Sequence, residues 1–264
     1  ATASPIVMLG AKPVFVDILE DTWCIDPDKV EKAITSRTKA IVAVHLYGNL
    51  CDMDRLLATC NNYNLPVIED AAEALGAKYK GQYAGTLGDI GCFSFNGNKI
   101  MSTGGGGMIV TNDETIAKKA KHLTTTAKVP HKWDYVHDEV GYNYRLPNLN
   151  AALGCAQMEQ LDHFIKAKRQ LAHTYQTNIS DDSISFFKEP KNCISNYWLN
   201  CLIFKDKTNR DIFLTMSNND KVMTRPCWTL MNKMTMFKDA YCSDLSCSEH
   251  IQNCLVNVPS SILS

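Results

Sequence analysis

The chain has 264 residues, with 27 basic and 28 acidic side chains and a formal net charge of −1. That balance gives no electrostatic footing for nucleic acid or an anionic membrane, and no apolar run is long enough to span a bilayer. The length suits one or two domains with a sizeable core, and eleven scattered cysteines, an odd number, fit a reducing cytosol better than a disulfide framework.

The N-terminal ATASPIVMLG carries no basic region ahead of its apolar residues and no initiating methionine. It does not read as a signal peptide, and the chain is expected to be a piece of a longer one. PVFVDI (13–18) predicts a buried strand. DPDKVEKAIT (26–35) predicts a helix with Asp26 at the N-cap and Pro27 at the first position. KAIVAVHLYG (39–48) predicts a strand ending in a turn glycine, and 52–63 a helix capped by Asp52. LPVIED (65–70), GCFSF (91–95) and GMIVT (107–111) follow as strands, and 113–125 as a helix capped by Asn112 or Asp113. This alternation predicts an α/β layer with a mostly parallel sheet and helices on both faces, in which ligands bind beyond the carboxyl ends of the strands. Apolar residues at helical spacing from Leu149 to Leu171 predict one long helix over 148–178. Strand-like YWLNCLIF (197–204) and helix-like RDIFLTMSN (210–218) then predict a smaller α+β unit. The expected division is a large domain over 1–165 and a small one over 166–264.

Three runs carry chemistry. In Glu69-Asp70-Ala71-Ala72-Glu73, carboxylates end a strand and small residues such as Ala72 leave room for a flat ligand. An acid there could hold a proton on a ring nitrogen; acids that merely cap the next turn are the ordinary alternative. In FSFNGNKIMSTGGGG (93–107), Lys99 sits in a polar turn just past a strand. Its amine can condense with an aldehyde, with Ser94 placed to donate to a phosphate; a plain surface lysine is the alternative. The glycines follow the lysine and no Gly-Lys-Ser/Thr element is present, which disfavours a P-loop. In GYNYRLPN (141–148), Asn143 and Arg145 can bind anions and Asn148 can cap the helix. Cys242, Cys247, His250 and Cys254 are the types of a zinc site, but their irregular spacing without a Cys-x-x-Cys knuckle favours free thiols.

Taken together, VIEDAAEALGAKYKG (67–81), GDIGCFSFNGNKIMSTGGGGMIVTND (88–113) and GYNYRLPNLNAALGCAQMEQLD (141–162) resemble the DegT/DnrJ/EryC1/StrS family of sugar aminotransferases, in motif order. VFVDI near the start and TRPCWTLMNKM (224–234) near the end extend the likeness over essentially the whole chain. The resemblance implies fold type I and dependence on pyridoxal phosphate (PLP). By position, Lys99 matches the lysine that bonds to the cofactor, Asp70 the acid on its ring nitrogen and Ser94 the serine on its phosphate. Asn143 matches an asparagine reaching the phosphate across a homodimer interface, and Glu73 a residue near the phenolic oxygen, with Ala72 among the cofactor's neighbours.

The resemblance further implies a cytoplasmic enzyme that moves an amino group from glutamate to C4 of a 4-keto-6-deoxy nucleotide sugar. A lysine at 99, where a related dehydratase branch has histidine, favours transamination. Sugar contacts are expected in 128–137 or in 224–230, while His131, Lys132, Trp133 and His137 read equally as ordinary loop residues. A PLP-dependent lyase of amino-acid metabolism or a non-catalytic scaffold on the same fold are the alternatives. The family's N-terminal segment, whose helix also holds the phosphate, and its final C-terminal elements are expected to be missing from this sequence.

Overall fold

A computed structural model of the chain describes residues 1–262, so the last two residues of the expected small domain lie outside the described residues. The central sheet runs in the order Ile41–Val44, Val67–Asp70, Ile90–Ser94, Gly107–Val110. The first three strands are parallel and the fourth is antiparallel. Parallel neighbours need a crossover, and the helix Met53–Asn62 supplies the first one. The mixed α/β architecture matches the expectation from alternating patterns.

Local chemistry sets the helix starts. The Asp26 carboxylate accepts from the Asp28 N–H at 2.9 Å, and Pro27 opens the helix Pro27–Ala33, where its missing N–H costs nothing. Asp52 accepts from the Arg55 N–H at 3.4 Å. Asp113, not Asn112, caps Glu114–Thr124, accepting from Thr115 and Ile116 at 2.7 and 3.0 Å. Val30, Leu56, Val67, Ala71 and Ala74 then bury together under the sheet.

Several elements depart from the sequence expectation, among them the strand expected over 197–204, which begins at Asn200. The long helix is two, Asn148–Met158 and Leu161–Asn178. Each half packs on a different surface. Gly154 lies against Thr103 in the lysine loop, while Leu161, Phe164 and Ile165 pack on the cluster around Trp198. One straight axis does not serve both. Asn148 begins the first helix rather than capping it; the cap position is Pro147. The strand expected over 13–18 shrinks to Val14–Phe15, which pairs in parallel with Tyr241–Cys242. Two residues beyond this strand, Asp17 bonds to the C-terminal part of the chain.

A second, antiparallel sheet runs in the order Arg225–Pro226, Leu255–Val258, Asn200–Phe204, Ile184–Phe186. The helix Ser246–Cys254 leads into it, and Asp17 caps that helix from 230 residues away in sequence. Its fully buried carboxylate accepts the N–H groups of Cys247 and Ser248 at 3.0 and 2.8 Å, the Ser248 hydroxyl at 2.5 Å and the Lys29 ammonium at 2.8 Å. Burial alone pushes this carboxyl up. The Lys29 ammonium and the Ser248 donors outweigh it, bringing the group from 3.8 down to about 2, and the positive end of the helix dipole has the same sense.

A folded-state value below the unfolded one means that the carboxylate contributes stability above about pH 4 and loses it as pH falls towards 2. Asp17→Asn is expected to lower unfolding free energy at neutral pH by about 3 kcal/mol in urea titration, and to remove part of the acid-induced loss between pH 4 and 2. A variant as stable as wild type across that range contradicts the capping role.

Candidate active site

Three parallel strands end side by side, Val44 opposite Asp70 and Asp70 opposite Cys92. The segments leaving them, His45–Gly48, Ala71–Glu73 and Phe95–Lys99, form the site. The turn carrying Lys99 is held at its base, with the Lys99 N–H on the Asn96 carbonyl at 3.1 Å and the Thr103 N–H on that of Phe95 at 3.0 Å.

The structure brings Lys99 and Glu73 together. Nζ stands 3.4 Å from Glu73 Oε1, and both side chains are only 14% exposed. Nζ also lies 3.9 Å from the centroid of the Trp198 ring. Glu73 Oε2 accepts the backbone N–H of Tyr47 at 2.8 Å. Burial raises the Glu73 carboxyl above its usual range, with Lys99 and the Tyr47 N–H pulling it back only in part and Asp70 adding to the rise.

Asp70 is half-buried at its strand end. Oδ2 accepts the Thr2 hydroxyl at 2.6 Å and Oδ1 the N–H of Ala72 at 3.2 Å. Ala72 thus brings a backbone donor and little bulk beside the acid, next to buried Ala71. Ser94 ends the adjacent strand opposite Gly107, its hydroxyl accepting the Asn96 N–H at 3.3 Å. Asn143 is exposed and bridged to Thr125 on a segment held against the helix Glu114–Thr124. Among the described residues, no hydrogen bond joins it to Lys99 or Glu73. His131, Lys132, Trp133 and His137 lie on the same segment, all exposed.

Residues to which the sequence reading gave no particular role frame these groups. Glu69 is fully buried and accepts from Gly85, Leu87 and Gly88 N–H groups at 2.8, 2.6 and 2.6 Å. Its fourth donor is His45 Nε2 at 2.8 Å. His45 Nδ1 accepts the Cys51 N–H at 3.3 Å, which fixes the proton on Nε2. Burial pushes the Glu69 carboxyl up, but His45 and the backbone donors leave it below the ordinary value. Beyond His45, Tyr47 adopts a left-handed backbone with φ of 58°, turning its N–H onto Glu73. Gly48 follows at φ +90°, where an added Cβ would meet the Asn196 amide at 1.9 Å. Only HLYG after an apolar strand hinted at this turn, and nothing local to Glu69 showed that its partners lie sixteen to nineteen residues on.

An amine, an acid and a hydroxyl at the carboxyl ends of parallel strands mark a fold-type-I PLP enzyme class. The chain belongs to the DegT/DnrJ/EryC1/StrS aminotransferase family, which matches residues 1–262. It is 42% identical over 241 residues to a GDP-perosamine synthase of Escherichia coli O157:H7, covering 91% of this chain and 66% of that one. It is 39% identical over 247 residues to the putative pyridoxal phosphate-dependent aminotransferase EpsN of Bacillus subtilis, covering 91% and 63%. The chain therefore spans just under two thirds of the length of these relatives. Among solved structures, the aminotransferase TlmJ from Streptoalloteichus hindustanus superposes with a TM-score of 0.92 at 26% identity, over 97% of this chain and 70% of that one. PLP goes with this family, and the residues present fit it by their chemistry: a sheltered primary amine for an aldehyde, a carboxylate for a ring nitrogen and a hydroxyl for a phosphate.

Replacing Glu69 tests the frame. Glu69→Ala leaves His45 and three backbone N–H groups without their acceptor in a dry interior. The expected loss is about 3–5 kcal/mol in urea unfolding, with a smaller loss for Glu69→Gln, whose amide oxygen still accepts. A loss below about 1 kcal/mol for the alanine variant contradicts this role.

Proposed function

We propose that the protein to which this chain belongs transfers an amino group from glutamate to the C4 keto carbon of a 4-keto-6-deoxy nucleotide sugar. The observation that carries the reading is the sheltered Lys99 amine set between Glu73 and an aromatic face beside the strand ends of Asp70 and Ser94. Family membership and the likeness to a protein named GDP-perosamine synthase support the sugar-nucleotide substrate.

When bound, PLP supplies an aldehyde carbon and an electron sink. In this reading Lys99 holds the cofactor through Nζ and, once displaced, moves the proton between donor and acceptor carbons. Asp70 keeps a proton on the ring nitrogen, its second oxygen already steadied by Thr2 or Ala72. Ser94 donates to the phosphate, and Ala72 leaves a flat space against the backbone. Asn143, on its exposed segment, reaches a phosphate across a homodimer interface. Glu73 supplies the negative charge that keeps the freed Lys99 close, and its raised carboxyl lets it share a proton beside the phenolic oxygen without two full anions meeting.

Residues 1–165 serve as the cofactor-binding part and 166–264 as the smaller part. All eleven cysteines are unpaired, which supports a cytoplasmic setting.

Glutamate and a panel of UDP-, GDP- and dTDP-linked 4-keto-6-deoxy sugars, incubated with the whole protein and PLP, are expected to give a 4-amino sugar and 2-oxoglutarate. Lys99→Ala is expected to lower turnover by about a thousandfold or more. Wild-type turnover in that variant, or no amination of any sugar in the panel, overturns the reading.

A further inference from the structure

We propose that Trp198 is a second working residue at Lys99: its indole face holds the free Lys99 amine as an ammonium ion aimed at Glu73. This rests on the reading of Lys99 above and extends it to a residue 99 positions away in the chain.

The ring is buried, and its centroid lies 3.9 Å from Lys99 Nζ. The face of an indole is the best π surface for a cation, and desolvation strengthens the attraction. Glu73 Oε1 stands 3.4 Å from the same nitrogen, so the amine meets a carboxylate and a π face at once.

Hydrogen bonds fix the ring's position. Nε1 donates to the carbonyl of Asn98 at 2.6 Å, so Trp198 grips the lysine's turn by its edge and the amine by its face. Its own N–H donates to Asn196 Oδ1 at 2.9 Å, and its carbonyl accepts Lys168 Nζ at 2.8 Å. Asn196 in turn donates to the carbonyls of Glu73 and Leu75 at 2.9 and 3.0 Å. Trp198 and Glu73 therefore belong to one wired frame. Tyr47 and Trp228 flank the indole, with ring centroids 6.3 and 6.2 Å away.

The other ionisable groups around this frame are Asp70, the Tyr47 phenol, the Cys201 and Cys227 thiols and the Lys168 ammonium. Burial holds the phenol and both thiols protonated and neutral. Lys168, pushed down to about 8 by burial, is a positioning residue acting through the Trp198 carbonyl. In the proposed transfer, the freed Lys99 side chain keeps its aim at Glu73 between the two half-reactions.

The test reads the lysine itself. The whole protein, free of PLP, is labelled with trace reductive methylation between pH 7 and 11, and Lys99 is followed at peptide level. All tryptophans are replaced biosynthetically by mono- and then difluorotryptophan, which drains π density with little change of shape. The Lys99 labelling rate near pH 8 is expected to rise stepwise by about two- to tenfold. Lys78, Lys80 and Lys128, which lie over tyrosine rings, are expected to stay unchanged. Trp198→Leu, where it folds, is expected to lie beyond the fluorinated series, while Trp198→Phe stays nearer to wild type.

A flat Lys99 series against unchanged controls overturns the proposal, even with amino transfer intact. Labelling needs no cofactor, so a graded series in a protein that does not aminate sugars supports the Trp198 contact while the functional reading alone falls.

Discussion

The Glu69 carboxylate is shut away from water and holds four donors from separate stretches of chain: His45 Nε2 and the N–H groups of Gly85, Leu87 and Gly88. An anion in such a place is tolerable only when fully hydrogen-bonded. Meeting that condition pulls the exit of one strand and the entry to another onto the end of a third. Asp70, the next residue, is thereby set at its strand end, and His45 fixes the turn that delivers the Tyr47 N–H to Glu73. The Lys99–Glu73 contact is built on this buried knot.

The wall opposite comes from far along the chain. The segment Ser195–Trp198 is fastened on every side: Arg169 donates to the Ser195 carbonyl and to Glu189, Glu189 accepts the Ser195 N–H, and Asn196 and Lys168 complete the set. Gly48 is required opposite Asn196, because a side chain would occupy the space of its amide. A segment anchored this densely presents a rigid indole, and rigidity lets a weak cation–π contact set the direction of a flexible lysine. Asp17 adds a second tie, from the N-terminal part to the helix Ser246–Cys254.

Much of this was legible in the sequence wherever the chemistry is local. Asp26, Asp52 and Asp113 cap helices through N–H groups two or three residues on, so spacing alone revealed them. Asp70 and Glu73 read as strand-end acids and Lys99 as a lysine after a strand. What stayed hidden depends on distant partners. Glu69 looked like one more acid beside Asp70, although its role comes from a loop sixteen to nineteen residues away. The left-handed Tyr47 has no signature in a residue type that normally avoids that conformation. The break after Met158 reflects two packing surfaces, not a breaker residue, and the periodicity runs through it. Trp198 read as part of a strand, while the strand itself begins at Asn200. Among the described residues no hydrogen bond ties Asn143 to Lys99, and the sequence motif alone assigns it to the site.

The proposed bonding of PLP to the Lys99 amine underlies the functional reading. Its most direct test is to add PLP to the whole protein, reduce with borohydride, digest and map the pyridoxyl group by mass spectrometry. A single modified peptide is expected, the one containing Lys99, with the label lost in Lys99→Ala. A label on Lys168 or on a surface lysine, with Lys99 untouched, contradicts it.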